Sequence, residues 1–210
     1  MEKREIYHIL AGIIILSIIS SVALIYQKGY SILPKIILFS AIIILVSVIA
    51  KKFTAYLVDC DVEHEIWHFQ RFGWKPHYYL PSKVPFGIII PLFFTIFSLG
   101  FLKIGTILTY EARALKYRAS RRFGFYSFTE LTDWHNGLIG TAGIISVLLV
   151  AMIGYFPGYE LLSKMATYYT LANLIPFSKL DGTQIFFGSR PLYAAVLVIT
   201  LIFFIFALII

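Results

Sequence analysis

Charged residues and cysteine are both scarce in this chain of 210 residues. Only 14% of the residues are charged and 59% are hydrophobic, whereas soluble domains have about 25% and about 45–50%. With a mean hydropathy of +0.82, these proportions argue strongly against a soluble globular protein. The single cysteine, Cys60, excludes an intramolecular disulfide and therefore a secreted fold held together by cystines.

Acidic residues are also few, 11 against 18 lysines and arginines, and the net charge is +7. A basic chain is often a nucleic-acid binder, but here the basic residues cluster between apolar runs. That distribution is typical of a membrane protein that follows the positive-inside rule. We therefore expect a multi-pass protein of the lipid bilayer, in the cell membrane, without a nucleic-acid partner.

Apolar runs of about 20 residues, the length that crosses a bilayer as a helix, fill most of the chain. They predict an all-α polytopic protein with a bundle of six to seven transmembrane helices in one domain, residues 1–210. Residues 1–52 would form an N-terminal helical hairpin, 53–190 the core and 191–210 a C-terminal anchor helix. The predicted segments are Ile6–Tyr26, Ile32–Ala50, Phe53–Phe72, Pro85–Leu102, Gly137–Phe156, Leu161–Phe177 and Leu192–Ile210.

The predicted helix Phe53–Phe72 is unusually polar for a membrane span. It carries several ionisable residues, among them Asp59, Asp61, Glu63, His64, Glu65 and His68. A charge at the bilayer centre costs roughly 2.5–3.5 kcal/mol on insertion scales, so such a helix must be buried among others or line a wet cavity. A functional site is the expected reason for it. The basic stretch Thr106–Arg122 is expected to be an amphipathic helix or loop at the cytoplasmic surface.

The pentapeptide 64–68, His-Glu-Ile-Trp-His, carries the chemistry of that segment. On a helix, two histidines four residues apart point the same way, and Glu65 lies about 100° round, within reach of a water held by both rings. Two neutral nitrogen ligands with a carboxylate that takes the water's proton are the H-E-x-x-H arrangement of zinc hydrolases. Random placement would give this pattern in about four of a thousand such chains.

A third ligand must come from a distant segment, and Asp181 is the best candidate. It follows a helix that Pro176 interrupts, and it precedes Gly182, which permits a close backbone approach. Aspartate is a common oxygen ligand of zinc, and two histidines with one carboxylate leave the fourth position to water. The alternative for Asp181 is a simple helix-ending Asp-Gly turn.

The two stretches H-E-I-W-H at 64–68 and N-L-I-P-F-S-K-L-D-G at 173–182 together resemble the site-2 protease family of intramembrane zinc metalloproteases. Two further passages, Arg-Phe-Gly at 71–73 and Gly-Thr-Ala-Gly at 140–143, agree with that family in order. The similarity covers roughly residues 53–190.

The resemblance implies a metal site between helices and a peptidase activity. His64, His68 and Asp181 would bind Zn²⁺, Glu65 would act as general base, and Asn173 would hold the substrate or stabilise the oxyanion. The substrate would be the transmembrane segment of another membrane protein, hydrolysed by a water that the zinc activates.

Two other functions stay open. Trp67 stands where the family has a small residue, which favours a catalytically inactive, protease-like membrane protein that binds partners or metal. A metal-ion transporter would also place histidines and carboxylates within the membrane. Cys60, four residues before His64, is expected to be a buried bystander thiol or, alternatively, an inhibitory metal ligand.

Overall fold

The structure, a computed structural model, describes residues 3–71, 79–115 and 131–209. Helices make up 71% of these residues. The α-helices, which we number in chain order, are α1 Lys3–Lys28, α2 Leu33–Leu57, α3 Phe86–Phe97, α4 Asp133–Tyr155, α5 Glu160–Asn173, α6 Asp181–Gly188 and α7 Arg190–Ile209. Four strands accompany them: β1 Cys60–Ile66, β2 Phe69–Arg71, β3 Tyr79–Val84 and β4 Leu108–Ala114. The fold is mostly helical, but the prediction of an all-α protein is wrong.

Four helices in the described ranges are long and apolar enough to cross a bilayer. The corresponding segments are Arg4–Ile25, Tyr30–Leu57 (a 3-10 turn, Tyr30–Ile32, followed by α2), Asp133–Tyr155 and Arg190–Ile209, with mean hydropathies of 2.5, 2.7, 2.2 and 3.0. Four of the seven predicted spans therefore coincide with helices of membrane-spanning length.

The other three predicted spans do not form such helices. Pro85–Leu102 gives only α3, of 12 residues, and Leu161–Phe177 gives only α5, of 14 residues. Both are shorter than the roughly 17–25 residues that a span requires. The chain leaves the helical conformation soon after each, at the positive φ angles of Leu99 (52°) and Ser178 (56°).

Helix α2 is longer than predicted. It begins with Pro34 in its first turn, as expected, but it continues through Lys51 and Lys52 to Leu57 instead of ending at Ala50. The lysines do not end the helix because each of them forms an ion pair inside the protein, Lys51 with Asp181 and Lys52 with Glu5. Their charges therefore need no water at the helix end.

The predicted helix Phe53–Phe72 is replaced, within its described part, by the end of α2 followed by β1 and β2. Alternate residues of β1 are buried, beginning with Cys60 and ending with Ile66. This period of two is that of a half-buried strand, and the intervening residues are the acidic ones. Strand β1 pairs antiparallel with β4, and His64 lies opposite Tyr110.

Strand β4 likewise corrects the prediction of an amphipathic helix or loop over Thr106–Arg122, of which residues 116–122 lie outside the described ranges. The sequence Leu108–Ala114 alternates as a strand does, and it ends with alternating exposed and half-buried residues. Strands β2 and β3 form a second antiparallel pair.

Helix α4 lies at the centre of the packing, against α2, α5 and α6. Helix α1 packs on α2, α3 and β1, while α7 packs on α5 and α6. The glycines of α4 permit this close approach: a Cβ at Gly143 would overlap the side chain of Lys51, and one at Gly140 would lie 2.9 Å from the Tyr110 hydroxyl. The Gly-Thr-Ala-Gly passage thus makes room for polar side chains from α2 and β4.

Candidate functional site

The two predicted zinc-binding histidines lie on β1 and just after it, not on a helix. His64 belongs to the buried face of β1 and is 1% exposed. Glu65, the predicted general base, is the next residue of the strand, so its side chain leaves the opposite face. His68 follows the end of the strand. The helical geometry that would aim all three side chains at one water is therefore absent from β1.

His64 is held by Glu5 of α1. Its Nδ1 lies 3.1 Å from the Glu5 Oε1, and its backbone N–H donates to the same oxygen over 3.2 Å. Burial lowers the pKa of His64, and the hydrogen bond to Glu5 opposes that shift only in part. Because the carboxylate can only accept, the neutral ring carries its proton on Nδ1 and keeps a lone pair on Nε2.

A cavity of about 370 Å³ opens beside these histidines. Its lining combines basic and acidic side chains with three imidazoles: Arg4, Glu5, His8, Glu63, His64, Glu65, His68, Lys83 and Arg113. The rings of His8 and His68 meet edge to face, with 6.4 Å between their centroids. Both predicted histidine ligands and the predicted base Glu65 therefore border the same cavity, together with a third histidine that the sequence pattern did not indicate.

The fit of these residues to zinc can be judged from their free atoms. Nε2 of His64 and Nδ1 of His68 are buried and have no hydrogen-bond partner. Both nitrogens are therefore free to bind a metal ion. However, no three His, Cys, Asp or Glu side chains lie close enough together to hold a metal ion within residues 3–71, 79–115 and 131–209. Two donors fit zinc, but the predicted set of three is not assembled.

The missing ligand, Asp181, has another partner. It is the first residue of α6, it is 1% exposed, and the ammonium of Lys51 lies 2.8 Å from its Oδ1 and 2.7 Å from its Oδ2. Lys51 is itself only 2% exposed. A buried carboxylate and a buried ammonium thus neutralise each other, which is the usual condition for charges inside a protein.

Aromatic and small residues enclose this ion pair. The Lys51 ammonium lies 4.8 Å from the ring centroid of Tyr110, in cation–π contact. The Tyr110 hydroxyl donates to the Asn136 carbonyl over 2.6 Å, and burial raises the pKa of Tyr110 well above its ordinary value, so the phenol is neutral. Gly143 of α4 provides the space for the lysine stem. Lys51 therefore lies in a fitted polar pocket.

The L-D-G sequence has a steric reason in this fold. A Cβ at Gly182 would overlap the carbonyl oxygen of Leu174, at the C-terminal end of α5. Glycine lets the first turn of α6 touch that backbone and so fixes Asp181 next to α2. The prediction that Gly182 permits a close backbone approach is confirmed, and the Asp-Gly pair begins a helix instead of ending one.

Asn173 is fully buried at the end of α5. Its Nδ2 donates to the carbonyls of Tyr169 (2.8 Å) and Gly105 (3.1 Å), while its Oδ1 is buried without a partner. The amide therefore anchors the chain before β4 to α5. Its role toward a substrate stays a prediction.

Trp67 packs the pentapeptide 64–68 against the loop before α6. It is 2% exposed, its indole N–H donates to the Ser178 hydroxyl over 3.1 Å, and its ring meets Phe86 and Phe177 edge to face. It thus joins the end of β1 to α3 and to the loop before α6. Because the motif is not helical, this bulky side chain crowds no helix interface.

Cys60, the thiol that the sequence placed four residues before His64, has a structural role. Cys60 is buried on β1, where its thiol contacts the Val58 carbonyl at 3.4 Å, and burial raises its pKa. Of the Arg-Phe-Gly passage, Phe72 and Gly73 lie outside the described ranges.

Sequence reasoning missed Lys51, Glu5 and Tyr110. The signal for Lys51 was available: apolar residues continue from Phe53 to Leu57 after the lysine pair, so the charge is inside a helical run and not at its end. A lysine in that position requires a buried acidic partner. Nothing in the sequence identified Asp181 as that partner.

Comparisons of the chain with protein-family models, with curated proteins and with solved structures found no match.

Proposed function

We propose that this chain is a multi-pass membrane protein with a core similar to that of the site-2 proteases, and that it binds other membrane proteins without cleaving them. The buried ion pair of Lys51 and Asp181 carries this proposal. The resemblance requires Asp181 as an open ligand of zinc. Here both of its oxygens are within hydrogen-bond distance of an ammonium.

Lysine and zinc would compete for the same carboxylate. Releasing Asp181 to a metal would leave the Lys51 ammonium buried without its counter-charge, and breaking a buried pair in that way costs about 3–5 kcal/mol. A zinc ion beside the ammonium would also meet like-charge repulsion. The native chain is therefore expected to keep the lysine and to work without the metal.

The membrane location is supported by the four long apolar helices and by how the charges near them are paired. Lys51 pairs with Asp181 and Lys52 pairs with Glu5, so two lysines on a spanning helix have acidic partners from α6 and α1. Pairing of this kind is expected for ionisable residues that a bilayer surrounds.

A recess of about 230 Å³ at the end of β1, which shares Glu65, His68 and Lys83 with the histidine cavity, is the proposed place of contact with a partner. Its lining combines residues of both charges and polar groups with the apolar Ile66 and Phe69: Glu65, Ile66, His68, Phe69, Gln70, Lys83, Thr109, Glu111, Ser178 and Lys179. This mixture suits the residues that flank a transmembrane segment of another protein, where charged and amide side chains follow the apolar ones at the membrane surface.

The proposal is tested on protein purified in detergent from zinc-supplemented cells. We expect wild type to contain far less than one zinc per chain by mass spectrometry and to leave membrane-helix substrates uncut.

Partner binding is tested by photo-crosslinking in living cells. A photo-crosslinking amino acid replaces Gln70, and the matched control carries it at Ile153, which is 62% exposed on the apolar surface of α4. A discrete protein adduct should form from position 70 and not from 153. Stoichiometric zinc with substrate cleavage, or adducts indistinguishable between the two positions, would overturn the proposal.

A second candidate is the zinc peptidase itself, and one observation favours it. The Glu5 carboxylate orients the His64 ring with Nε2 free, and His68 Nδ1 beside the same cavity is also free. A carboxylate that orients a histidine is common behind metal ligands. Zinc bound there would polarise a carbonyl and activate water, with His64 and His68 as ligands and Glu65 nearby.

The two candidates differ in the behaviour of two variants. The peptidase predicts that His68→Ala loses zinc, and that Glu65→Gln keeps zinc but loses cleavage. If the protein is non-catalytic, neither substitution should change the zinc content or the amount of substrate cleaved, because the wild type would neither bind zinc nor cleave substrate.

A further inference from the structure

Helix α2 directs two polar side chains, one turn apart, into the protein interior. Ser47 and Lys51 are 3% and 2% exposed, and residues four apart share one face of a helix. Their neighbours on α2 are mainly apolar. A buried serine and a buried lysine at this spacing form a polar stripe on a mainly apolar spanning helix.

The groups that face this stripe include Asp181, the one carboxylate that the resemblance makes a metal ligand. Asp181 of the L-D-G sequence contacts Lys51, and Gly143 of the Gly-Thr-Ala-Gly passage packs on the lysine stem. Tyr169, on α5, is buried beside Ser47. Three helices thus converge on positions 47 and 51, whereas the histidine pair lies on and after β1.

The spacing of these two positions is that of the histidines in H-E-x-x-H. They lie on a spanning helix, as the resemblance requires, and the L-D-G aspartate faces them. The pentapeptide 47–51, Ser-Val-Ile-Ala-Lys, thus lies on a spanning helix and faces the L-D-G aspartate, whereas the pentapeptide 64–68 lies on and after β1.

We infer that the Lys51 ammonium fills a cation site built by Asp181, and that positions 47 and 51 are where histidines would convert this site into one for a divalent metal. The inference deepens the proposed non-catalytic function, since it names the internal cation that replaces a metal. An imidazole is shorter than a lysine side chain, and a zinc ion lies about 2.0–2.1 Å beyond its ligating nitrogen. The ion would then lie close to where the ammonium lies now.

The experiment installs the ligands and supplies zinc. Ser47→His/Lys51→His is purified in detergent, given Zn²⁺, and freed of unbound metal by gel filtration. We expect about one more zinc per chain than in wild type, with an affinity on the order of tenfold higher or more. Adding Asp181→Asn should remove the extra zinc. Cobalt in place of zinc should give the visible absorption of a tetrahedral site.

Two controls separate this site from the histidine pair and from the proposed function. The same variants are made with His64→Ala/His68→Ala, which should leave the extra zinc unchanged. If wild type binds zinc and cleaves substrate, the proposed function fails, yet extra zinc that depends on Asp181 still supports the site on α2.

Folding is checked by circular dichroism and by a monodisperse gel-filtration peak. If the double variant does not fold, Lys51→His is compared with Lys51→Gln, which has no metal-binding nitrogen. Zinc should raise the melting temperature of the first and not of the second. A folded double variant that binds zinc no better than wild type, zinc binding that survives Asp181→Asn, or equal zinc responses of the two single variants would overturn the inference.

Discussion

The strongest quantitative prediction concerns the pair formed by Lys51 and Asp181. At a separation of 2.8 Å between Nζ and Oδ1, Coulomb attraction at an effective dielectric constant of about 20 amounts to about 6 kcal/mol. The removal of both groups from water offsets much of that attraction, so the intact pair adds little net stability. Losing one partner is different, because the other charge stays buried.

We therefore expect Lys51→Met and Asp181→Leu each to destabilise the protein by about 3–5 kcal/mol. The double variant should be within about 1 kcal/mol of wild type, or more stable, since it buries no charge. At roughly 2–4 °C per kcal/mol for a chain of this size, each single variant should melt on the order of 10 °C lower. Thermal and denaturant unfolding in detergent, followed by circular dichroism, measure these differences.

The matched control is the exposed pair of Lys179 and Glu111, whose side chains are 62% and 45% exposed. Breaking it with Lys179→Met should cost between about 0 and 1 kcal/mol, because water screens it. If the two buried single variants are as mild as this control, or if their effects simply add in the double variant, Lys51 and Asp181 are not a buried pair.

Three further predictions concern other parts of the structure. Gly182→Ala should destabilise the protein by about 2–3 kcal/mol, because the added methyl group would overlap the rigid backbone carbonyl of Leu174. The control, Gly12→Ala, should be less destabilising in the same unfolding assay, because its methyl group would meet the flexible side chain of Leu108 at 3.2 Å. Trp67→Ala should cost about 3–5 kcal/mol and Ser178→Ala only about 1 kcal/mol, because the first removes a buried ring and the second a single hydrogen bond; equal losses would contradict the packing role of the ring. Cys60 should react with a maleimide on the order of tenfold more slowly, or slower still, than an exposed cysteine, because Cys60 is buried and its pKa is raised. The exposed cysteine is introduced as Ser82→Cys in a Cys60→Ala background. Similar labelling rates of the two cysteines in the folded protein would refute the burial of Cys60.

Much of the helical framework could be predicted from the sequence. Apolar runs of about 20 residues identify α1, α2, α4 and α7, because a run of that length has few other stable arrangements. The positions of Pro34 and Gly182 were also interpretable, since proline favours a first helical turn and glycine a close backbone contact.

The errors arose where two periodicities compete over a short segment. The spacing of His64 and His68 fits one face of a helix, but the alternation from Cys60 to Ile66 fits a strand equally well. In β1 the alternation prevails, because β4 supplies the pairing strand and α1 supplies Glu5 for the buried imidazole. A pattern of five residues contains neither piece of information.

The sequence by itself determined that the chain is built from long apolar helices and that ionisable groups among them must have partners. Both follow from composition and run length, because an unpaired charge is costly wherever water is excluded. Only the tertiary structure decided which groups became partners. Lys51 and Asp181 are 130 residues apart in the chain, and they meet because glycines of α4 and α6 let three helices approach closely. That contact gives Asp181 an ammonium where the sequence alone predicted a zinc ion.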